Sequence, residues 1–408
     1  MVLSSYMKAN QTLNKEIFER GIKDIVTRGE LEKLFDSKKF LRIKHGIDAT
    51  SPDLHLGHAA SLWKLRALQE AGHKAVILFG DVTTLIGDPT GRSKARPQLS
   101  DAEIKKNLIF LKQEVKKILL SDPEVLELRQ SSEWYYKMRL DEFLRLLSYC
   151  THARLIERDM FKKRMEQKSE IFMHELIYPV LQGYDSVMLK SDMTIIGSDQ
   201  LFNEHVGRFL QEKFGQNPQV IVALKILPGI EGREKMSKSL GNYIGISDSP
   251  RDKFGKIMRI PDQLILPYLE VYTDVPMSEI RMVGEHMAAG SNPRDAKESL
   301  AEAVVRRYHG GKAASREKKE FHDIFSEKKI PKDIPIVLLA REHGTVMDAI
   351  LRSGGAGSKA EARRLFREGA IEANGRVMRD PQESLLPNNN ATLRIGKKKF
   401  FKIKIVPP

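Results

Sequence analysis

The pattern of apolar and polar positions predicts an alternation of strands and helices in the first part of the chain. Residues 41–47 (LRIKHGI) predict a strand, and the apolar run at residues 74–79 (KAVILF) predicts a buried strand. Between them, residues 59–71 carry leucines at helical spacing and end before Gly72, which predicts a helix. A strand, a helix and a strand in this spacing are typical of a parallel crossover unit. The pattern therefore predicts an α/β fold whose first domain is doubly wound and Rossmann-like, a fold that suits nucleotide binding.

The next segments predict how this domain is elaborated. Residues 99–164 have a mostly helical pattern that opens at a cap on Ser100, so we expect a helical insertion at about 101–164. Residues 219–227 form a second buried-strand candidate and lead into a glycine-containing loop, 229–241. The charged stretch 252–329 has helical patterning. We therefore expect a catalytic domain over 1–246 and a helical domain over 247–329.

The last part of the chain has a pattern of its own. Residues 330–335 (IPKDIP) hold two prolines and predict a linker. Ser358 and Glu361 form a capping-box pattern that predicts a helix through Arg367, closed by Gly369. Residues 371–378 then predict a hairpin turning at Asn374-Gly375. Residues 336–408 are therefore predicted to form a separate domain.

Length and charge add to this division. A chain of 408 residues is long enough for two or three domains. The formal charge is +14, and residues 336–408 carry 14 lysines and arginines against 7 aspartates and glutamates, which is half of that excess. A basic surface favours polyanions, although charge alone does not choose between nucleic acid, acidic lipid and acidic protein. The last domain is thus a candidate for binding one of these.

Cysteine content and apolar runs exclude several classes of protein. Cys150 is the only cysteine, so disulfides within the chain and multi-cysteine zinc sites are excluded, and we interpret Cys150 as a structural thiol. No apolar run approaches the roughly 20 residues of a membrane-spanning helix. The first 15 residues lack the apolar core of a secretory signal. We therefore expect a cytoplasmic protein with no membrane partner.

The first motif with chemical meaning is His55-Leu56-Gly57-His58, at the junction of a loop and a predicted helix. The start of a helix attracts phosphate, and Gly57 lets a nucleotide approach the backbone. This arrangement suits ATP binding. Two histidines three residues apart are also compatible with a metal pair or with solvated loop residues.

The second motif is Lys235-Met236-Ser237-Lys238-Ser239, about 180 residues further along the chain. Two lysines on a loop can neutralise a triphosphate as its pyrophosphate leaves. The alternative is a solvated surface loop. The order and spacing of the two motifs are more specific than either motif alone.

A third set of polar residues lies between and around these motifs. Tyr178, Gln182 and Asp185 recur at i, i+4 and i+7, so a helix would place them on one face. Asp88 lies in a Gly-Asp-Pro-Thr-Gly stretch, and Asp199 precedes Gln200. Any one of these residues could be a capping or pairing group within the fold.

Together the first two motifs resemble those of class I aminoacyl-tRNA synthetases, and the third set resembles the tyrosyl-tRNA synthetases specifically. The resemblance implies that Tyr178, Gln182, Asp88 and Thr83 hold the ammonium group of tyrosine and that Asp185 accepts from its phenol. It also implies that Gln200 lies beside the reacting carboxylate, while Asp48 and Asp199 reach the substrate or the ribose. The implied catalytic residues are His55, His58, Lys235 and Lys238, and the ATP site adds Gly57, Ser237, Arg92 and Arg96.

The sequence departs from this resemblance at one position. Many members have a tyrosine that helps to hold the phenol hydroxyl, and Lys44 occupies that place here. We therefore expect the selection of tyrosine to depend more heavily on Asp185.

The tail carries a second resemblance. Its helix and hairpin pattern is similar to the S4 RNA-binding domain of bacterial-type tyrosyl-tRNA synthetases. Arg363, Arg364 and Arg367 project from one predicted helix, and further charge follows at Lys397, Lys398 and Lys399. These side chains suit phosphate contacts, with a solvated charged helix as the alternative.

The resemblances imply a two-step reaction. Tyrosine is activated with ATP, accompanied by Mg²⁺, and the tyrosyl group is then transferred to the terminal ribose of tRNA(Tyr). They also imply a homodimer that forms through the helical insertion. Two alternatives stay open from the sequence: a tryptophanyl-tRNA synthetase, and an inactive RNA-binding protein that has kept a synthetase scaffold.

Overall fold

A computed structural model describes residues 17–37, 40–88, 99–238, 240–325, 334–340, 344–385, 391–396 and 399–406. The chain forms two compact units, Met1–Ser315 and Arg316–Pro408. No helix within these described ranges is both long and apolar enough to cross a bilayer.

A six-stranded sheet forms the centre of the first unit. Its strands are β1 (Ile22–Val26), β2 (Arg42–Asp48), β3 (Lys74–Gly80), β4 (Leu126–Gln130), β5 (Met193–Gly197) and β6 (Val220–Leu224). Their order is β1-β6-β5-β2-β3-β4, and only β1 runs antiparallel to its neighbour in this sheet. The prediction of a doubly wound parallel sheet is confirmed.

Helices connect these strands and extend beyond them. In chain order they are α1 (Arg28–Asp36), α2 (Leu56–Glu70), α3 (Asp81–Ile86), α4 (Asp101–Lys116), α5 (Ser132–Tyr135), α6 (Leu140–Ser148), α7 (His152–Ile156), α8 (Asp159–Glu166), α9 (Met173–Leu189), α10 (Leu201–Lys213), α11 (Pro250–Ile257), α12 (Ile265–Tyr272), α13 (Met277–Ala288) and α14 (Pro293–Phe325). Short 3₁₀ turns lie at Ser198–Gln200 and Asp262–Leu264. Helix α14 is interrupted at Gly310, whose φ of 81° is not helical.

The local signals in the sequence explain several of these boundaries. Leu62, Leu65 and Leu68 of α2 are fully buried, as their spacing predicts. The helix ends before Gly72, which adopts a φ of 88° that favours glycine. Ser100 and Glu103 form a capping box at the start of α4.

The stretch 99–164 is mostly helical, as predicted, but it also contains strand β4, which the sequence pattern did not predict. This strand pairs in parallel with β3, with Ala75 opposite Leu126 and Phe79 opposite Gln130. It lies at the edge of the sheet, where four of its five residues are half-buried. Because an edge strand tolerates charged side chains, the sequence LELRQ lacks the apolar run that would have predicted it.

The second unit is built on a five-stranded sheet with two helices. Its strands are β7 (Ile336–Ala340), β8 (Ile371–Ala373), β9 (Arg376–Val377), β10 (Ala391–Ile395) and β11 (Lys399–Val406), in the order β7-β11-β10-β8-β9. The helices are α15 (Val346–Arg352) and α16 (Lys359–Arg367). The predicted hairpin is present, with φ of 49° at Asn374 and 80° at Gly375.

The predicted capping box at α16 is only half formed. Ser358 Oγ accepts from the amide of Glu361 at 3.2 Å, as predicted. The Glu361 carboxylate accepts from Gly357 N at 2.7 Å instead of from the amide of Ser358. The start of α16 is therefore held by two hydrogen bonds, one accepted by the Ser358 side chain and one donated by the Gly357 amide.

Candidate active site

Most of the predicted site residues lie near the carboxyl ends of the parallel strands. Strand β2 ends at Asp48, β3 ends at Gly80, and β5 ends at Gly197, just before the turn that holds Asp199 and Gln200. Ligands of open α/β sheets bind at this edge. The sheet thus brings together residues that are far apart in the sequence.

The two histidines of the first motif cap helix α2. His55 Nδ1 accepts from Gly57 N at 3.1 Å, and His58 Nδ1 accepts from His55 N at 3.3 Å. A Cβ atom at position 57 would lie 2.9 Å from the His55 ring, so the position requires glycine. Because both Nδ1 atoms accept, each neutral ring carries its proton on Nε2 and can donate from that atom.

Both rings are neutral at pH 7. Burial, followed by the charges of Lys238 and Lys235, lowers the pKa of His55 to about 4. Burial and the neighbouring His55 lower the pKa of His58 well below its usual value. The histidines can therefore serve ATP as hydrogen-bond donors rather than as cations.

Backbone contacts tie the lysine loop to the histidine motif. Leu56 N donates to Ile244 O at 2.9 Å, and Ile246 N donates to Leu54 O at 2.8 Å. Within the loop, the buried Asn242 accepts from Ser237 N at 2.7 Å and donates to Lys235 O at 3.2 Å. The two motifs thus form one structural unit.

Each lysine of the second motif is paired with an aspartate. Lys235 Nζ lies 2.9 Å from Asp199 Oδ2, and Lys238 Nζ lies 2.9 Å from Asp53 Oδ2. The side chains of both pairs are partly exposed, although the Lys238 Nζ atom itself is buried. Water therefore weakens the Lys235–Asp199 attraction more than the Lys238–Asp53 attraction. The lysines can therefore exchange these carboxylates for phosphate oxygens.

Asp48 lies at the centre of a second cluster. Its two carboxylate oxygens accept from Thr83 Oγ1 at 2.8 Å and from the hydroxyl of Tyr178 at 2.9 Å. A Cβ atom on Gly80 would come within 2.5 Å of Asp48 Oδ1, so only glycine leaves room for this carboxylate. Three of the residues predicted for tyrosine binding are thereby in direct contact.

Three amides connect two further carboxylates. Gln182 Nε2 donates to Glu204 Oε1 at 2.9 Å, and Gln200 Nε2 donates to Asp88 Oδ2 at 2.8 Å. Between them, Asn203 Nδ2 donates to the side-chain carbonyls of both Gln182 and Gln200, at 2.7 and 2.9 Å. Asn203 and Glu204 are buried, whereas Gln182 and Gln200 are half-buried.

Asp185 is almost completely buried on α9, next to helix α5. Its Oδ1 accepts from Trp134 Nε1 at 3.1 Å. Burial raises the pKa of Asp185 to about 8, against the opposing effect of the Lys44 charge. Without substrate, this carboxyl group is therefore largely protonated at pH 7.

Lys44 is fully occupied by its own neighbours. Its Nζ donates to Glu204 Oε2 at 2.8 Å, to Glu204 Oε1 at 3.0 Å and to Ser186 Oγ at 2.6 Å. Only 1% of Lys44 is exposed. The lysine that stands in place of the expected tyrosine thus forms a buried ion pair.

Sequence reasoning missed four residues of this region: Trp134, Arg158, Asn203 and Glu204. Arg158 is buried, and its Nη2 lies 3.9 Å from Asp88 Oδ1. No local pattern distinguished Arg158 or Trp134 within the charged stretch 99–164. Asn203 and Glu204 directly follow the Asp199-Gln200 segment, so their proximity to that predicted pair was the available signal.

Some predicted residues lie outside the described part of the chain. These are Arg92, Arg96 and Ser239 near the ATP motifs, and Lys397 and Lys398 in the tail.

Three of the predicted RNA-binding side chains form a basic surface on the second unit. Arg363, Arg364 and Arg367 are exposed on α16. Arg363, Arg367 and Arg379 line a cleft of about 820 Å³. Lys399 instead donates to the carbonyl of Gly355 at 2.9 Å, which fixes the segment before α16.

The fold and the paired ATP motifs define a class I tRNA synthetase. The family model described as tRNA synthetases class I (W and Y) matches residues 36–326. Among solved structures, the chain resembles a truncated mitochondrial tyrosyl-tRNA synthetase from Aspergillus nidulans, with a TM-score of 0.62 and 24% identity over 77% of this chain and 94% of that chain. It also resembles the tyrosyl-tRNA synthetase from Archaeoglobus fulgidus, with a TM-score of 0.58 and 22% identity over 75% and 99%. These two likenesses concern the fold.

Sequence relatives identify the family within this class. A tyrosine–tRNA ligase from Moorella thermoacetica is 42% identical over 95% of this chain and 94% of its own length. One from Thermotoga maritima is 40% identical over 95% of this chain and 96% of its own length. The chain belongs to the tyrosyl-tRNA synthetase family.

Proposed function

We propose that this protein activates L-tyrosine with ATP and transfers it to tRNA(Tyr). The observation that carries the proposal is the pairing of the two ATP motifs near the side-chain clusters that hold Asp48, Asp88, Gln182 and Asp185. The sequence relatives favour tyrosine over the alternative of tryptophan, and they speak against an inactive scaffold.

In the first step, a tyrosine carboxylate oxygen attacks the α-phosphorus of ATP. A carboxyl–phosphate bond forms while the bond from the α-phosphorus to the pyrophosphate oxygen breaks. Lys235 and Lys238 neutralise the charge that grows on the leaving pyrophosphate, and the Nε2 protons of His55 and His58 donate to phosphate oxygens. Arg92 and Arg96 are proposed as further pyrophosphate contacts, and Gly57 and Ser237 as backbone contacts to ATP.

Mg²⁺ would enter with ATP and be held by phosphate oxygens and water, adding positive charge at the phosphates. The carboxylates nearest to the two lysines, Asp53 and Asp199, are each ion-paired. The residues present therefore suit an ion carried by the nucleotide rather than one held in a protein cage.

In the second step, a hydroxyl of the terminal ribose of tRNA attacks the tyrosyl carbonyl, and AMP leaves. The tyrosine would be held by its ammonium group at Tyr178, Gln182, Asp88 and Thr83 and by its phenol at Asp185. Gln200 would lie beside its carboxylate, and Asp48 and Asp199 would reach the substrate or the ribose. No covalent enzyme intermediate is needed, because positioning and charge stabilisation suffice.

We propose that the chain acts as a homodimer through the predicted insertion at 101–164. Large apolar side chains are exposed there: Ile109, Phe110, Tyr136, Leu140 and Leu144. Leu140 is 73% exposed and Tyr136 is 71% exposed, and exposed apolar clusters favour a protein partner. Sedimentation equilibrium of the full chain should give twice the mass of 46.5 kDa, and a monomer would contradict this proposal.

The second unit, proposed as an S4-like RNA-binding domain over 336–408, should be needed for the second step only. We expect Arg363→Ser combined with Arg367→Ser to raise the KM for tRNA(Tyr) while tyrosine-dependent pyrophosphate exchange stays unchanged. Each lost phosphate contact should also lower the salt dependence of tRNA affinity, by about 1 in the slope of log K against log salt.

A matched control removes the same charge elsewhere. Arg251 on α11 and Arg281 on α13 are exposed in the first unit, outside the predicted insertion, and replacing both with serine should leave the KM for tRNA unchanged. Equal effects of the two double variants would mean that net charge, rather than the α16 surface, determines binding.

A further inference from the structure

Three amides and two carboxylates form a continuous chain of hydrogen bonds beside the proposed tyrosine site. It runs from Glu204 through Gln182, Asn203 and Gln200 to Asp88, with donor–acceptor distances between 2.7 and 2.9 Å. We call this chain of five side chains the amide relay. Its members at Gln182 and Asp88 are two of the residues proposed to hold the substrate ammonium group.

The two carboxylates determine which way each amide points. A carboxylate only accepts hydrogen bonds, so Gln182 must direct its NH₂ group towards Glu204. Gln200 must likewise direct its NH₂ group towards Asp88. Both side-chain carbonyls then face Asn203, which has to donate to both of them from its single NH₂ group.

This direction of the relay leaves one acceptor without a partner. Asn203 Oδ1 is buried and makes no hydrogen bond within the described residues. Turning the Asn203 amide over would satisfy neither neighbour, because its oxygen would then face two carbonyls. Leaving a buried acceptor unpaired costs free energy. The hydrogen bonds to the carboxylates at the two ends of the relay outweigh that cost and fix the orientation of the Asn203 amide.

Lys44 holds the Glu204 end of the relay by a buried ion pair. Glu204 is 1% exposed, and its carboxylate is bonded to Lys44, Gln182 and Gln219. Burying a single carboxylate without a partner is unfavourable, whereas a lysine within 2.8 Å stabilises its charged form. The lysine that departs from the family pattern thus supports the end of the relay.

We infer that Glu204, paired with Lys44, and Asn203 are positioning residues that keep the carbonyl oxygen of Gln182 oriented for the ammonium group of the amino-acid substrate. A carbonyl oxygen can accept two hydrogen bonds, and Asn203 uses one of them. The second acceptor position can then receive the ammonium group. With the amide reversed, Gln182 would present NH₂ to a cation. This inference rests on the proposed tyrosine site.

The test uses three ligands: tyrosine and 3-(4-hydroxyphenyl)propionate differ only in the ammonium group that the relay serves, and tyramine keeps that group but lacks the carboxylate. The Lys44→Met/Glu204→Gln double variant removes both charges, and the glutamine no longer enforces one direction on the relay. We expect Kd for tyrosine and for tyramine to rise about tenfold or more. For 3-(4-hydroxyphenyl)propionate, which lacks the ammonium group, Kd should change less than about twofold. Calorimetric titration of the full chain gives all three values.

A second buried ion pair supplies the matched control. Arg164 Nη1 lies 2.7 Å from Glu175 Oε1, with side chains that are 4% and 2% exposed, and neither residue belongs to the relay. The Arg164→Met/Glu175→Gln variant should change the affinity for all three ligands by the same factor. An equal loss for all three ligands in the Lys44/Glu204 variant would overturn the inference, because it would indicate a general effect on the fold.

Two single variants cover the remaining outcomes. Asn203→Asp keeps the side-chain shape but can only accept, so each neighbouring amide would lie between two carboxylates and lose its single preferred direction. It should cause the same selective loss even if the double variant does not fold. Gln182→Met tests the proposed site itself. If Gln182→Met weakens binding only of the ligands that have an ammonium group, and the relay variants do not, the relay inference alone fails. If Gln182→Met weakens binding of all three ligands equally, the proposed ammonium site fails as well.

Discussion

We expect Lys238→Ala to lower the rate of tyrosyl-adenylate formation by roughly a hundredfold or more, while Kd for tyrosine stays within about twofold. In the free protein, Lys238 is paired with Asp53 at 2.9 Å, and its charge lies near the two histidines. In the proposed mechanism, tyrosine does not contact this charge before reaction. The lysine should matter most when pyrophosphate separates, and this affects the rate rather than binding.

Single-turnover measurement of adenylate formation and equilibrium dialysis with tyrosine separate these two effects. Lys256→Ala is the matched control, because Lys256 pairs with Asp248 at 2.7 Å and lies over the same Tyr243 ring as Lys238. We expect this control to change the rate only slightly. A comparable fall in rate and in tyrosine affinity for Lys238→Ala would show that it supports the fold of the site rather than the transition state.

The second large effect concerns Asp185. Phenylalanine leaves this buried carboxyl group without the phenol partner, and Asp185→Ala removes that penalty. The ratio of kcat/KM for tyrosine to that for phenylalanine should therefore fall by between about tenfold and a hundredfold. Pyrophosphate exchange with each amino acid gives the ratio. Unchanged selectivity would mean that another group recognises the phenol.

The raised pKa of Asp185 also predicts a dependence on pH. Accepting from a phenol favours the carboxylate, so tyrosine affinity should increase as the pH rises towards about 8, the pKa of the free carboxyl group. In the folded protein, this group holds its proton at pH values where the unfolded chain has lost it. Its contribution to stability therefore falls between about pH 4 and pH 8, and Asp185→Asn should be more stable than the natural protein at pH 8.

Asp81 is a control because its pKa is shifted in the opposite direction, so its effect on stability changes with pH in the opposite sense. Burial acts to raise the pKa of Asp81, but hydrogen bonds from Ser132 and Ser131 outweigh burial and lower it. A lowered pKa stabilises the fold at pH values above the pKa of the unfolded group, and this stabilisation is lost in acid. Asp81→Asn should therefore destabilise the protein at neutral pH. Thermal unfolding of both variants across this pH range tests the two signs together.

Local signals in the sequence predicted much of the fold. Strands β2 and β3, helix α2 with its stop before Gly72, the Ser100 cap and the Asn374-Gly375 turn all depend on residues close in sequence. Strand β4 was missed because its stability comes from pairing with β3 at the sheet edge. The half-formed capping box at Ser358 shows the same limit, since the Glu361 carboxylate accepts from the Gly357 amide rather than from the Ser358 amide.

The site was predicted only as far as its motifs extend. Recognisable patterns mark both histidines, both lysines and the polar face of α9. The structure adds the contacts that these side chains make. The Lys44–Glu204 pair joins residues 160 positions apart, and the Trp134–Asp185 bond joins residues 51 positions apart. No local pattern indicates such partners. The sequence therefore marked Lys44 as a departure without giving its role.

The most direct test of the central claim is ATP–pyrophosphate exchange by the full-length protein, measured separately with tyrosine, tryptophan and phenylalanine. The proposed function predicts exchange that depends on tyrosine, with phenylalanine and tryptophan far less effective at equal concentration. Exchange driven by tryptophan would contradict the assignment of the amino-acid site. No exchange with any of the three amino acids would contradict the proposed activity itself.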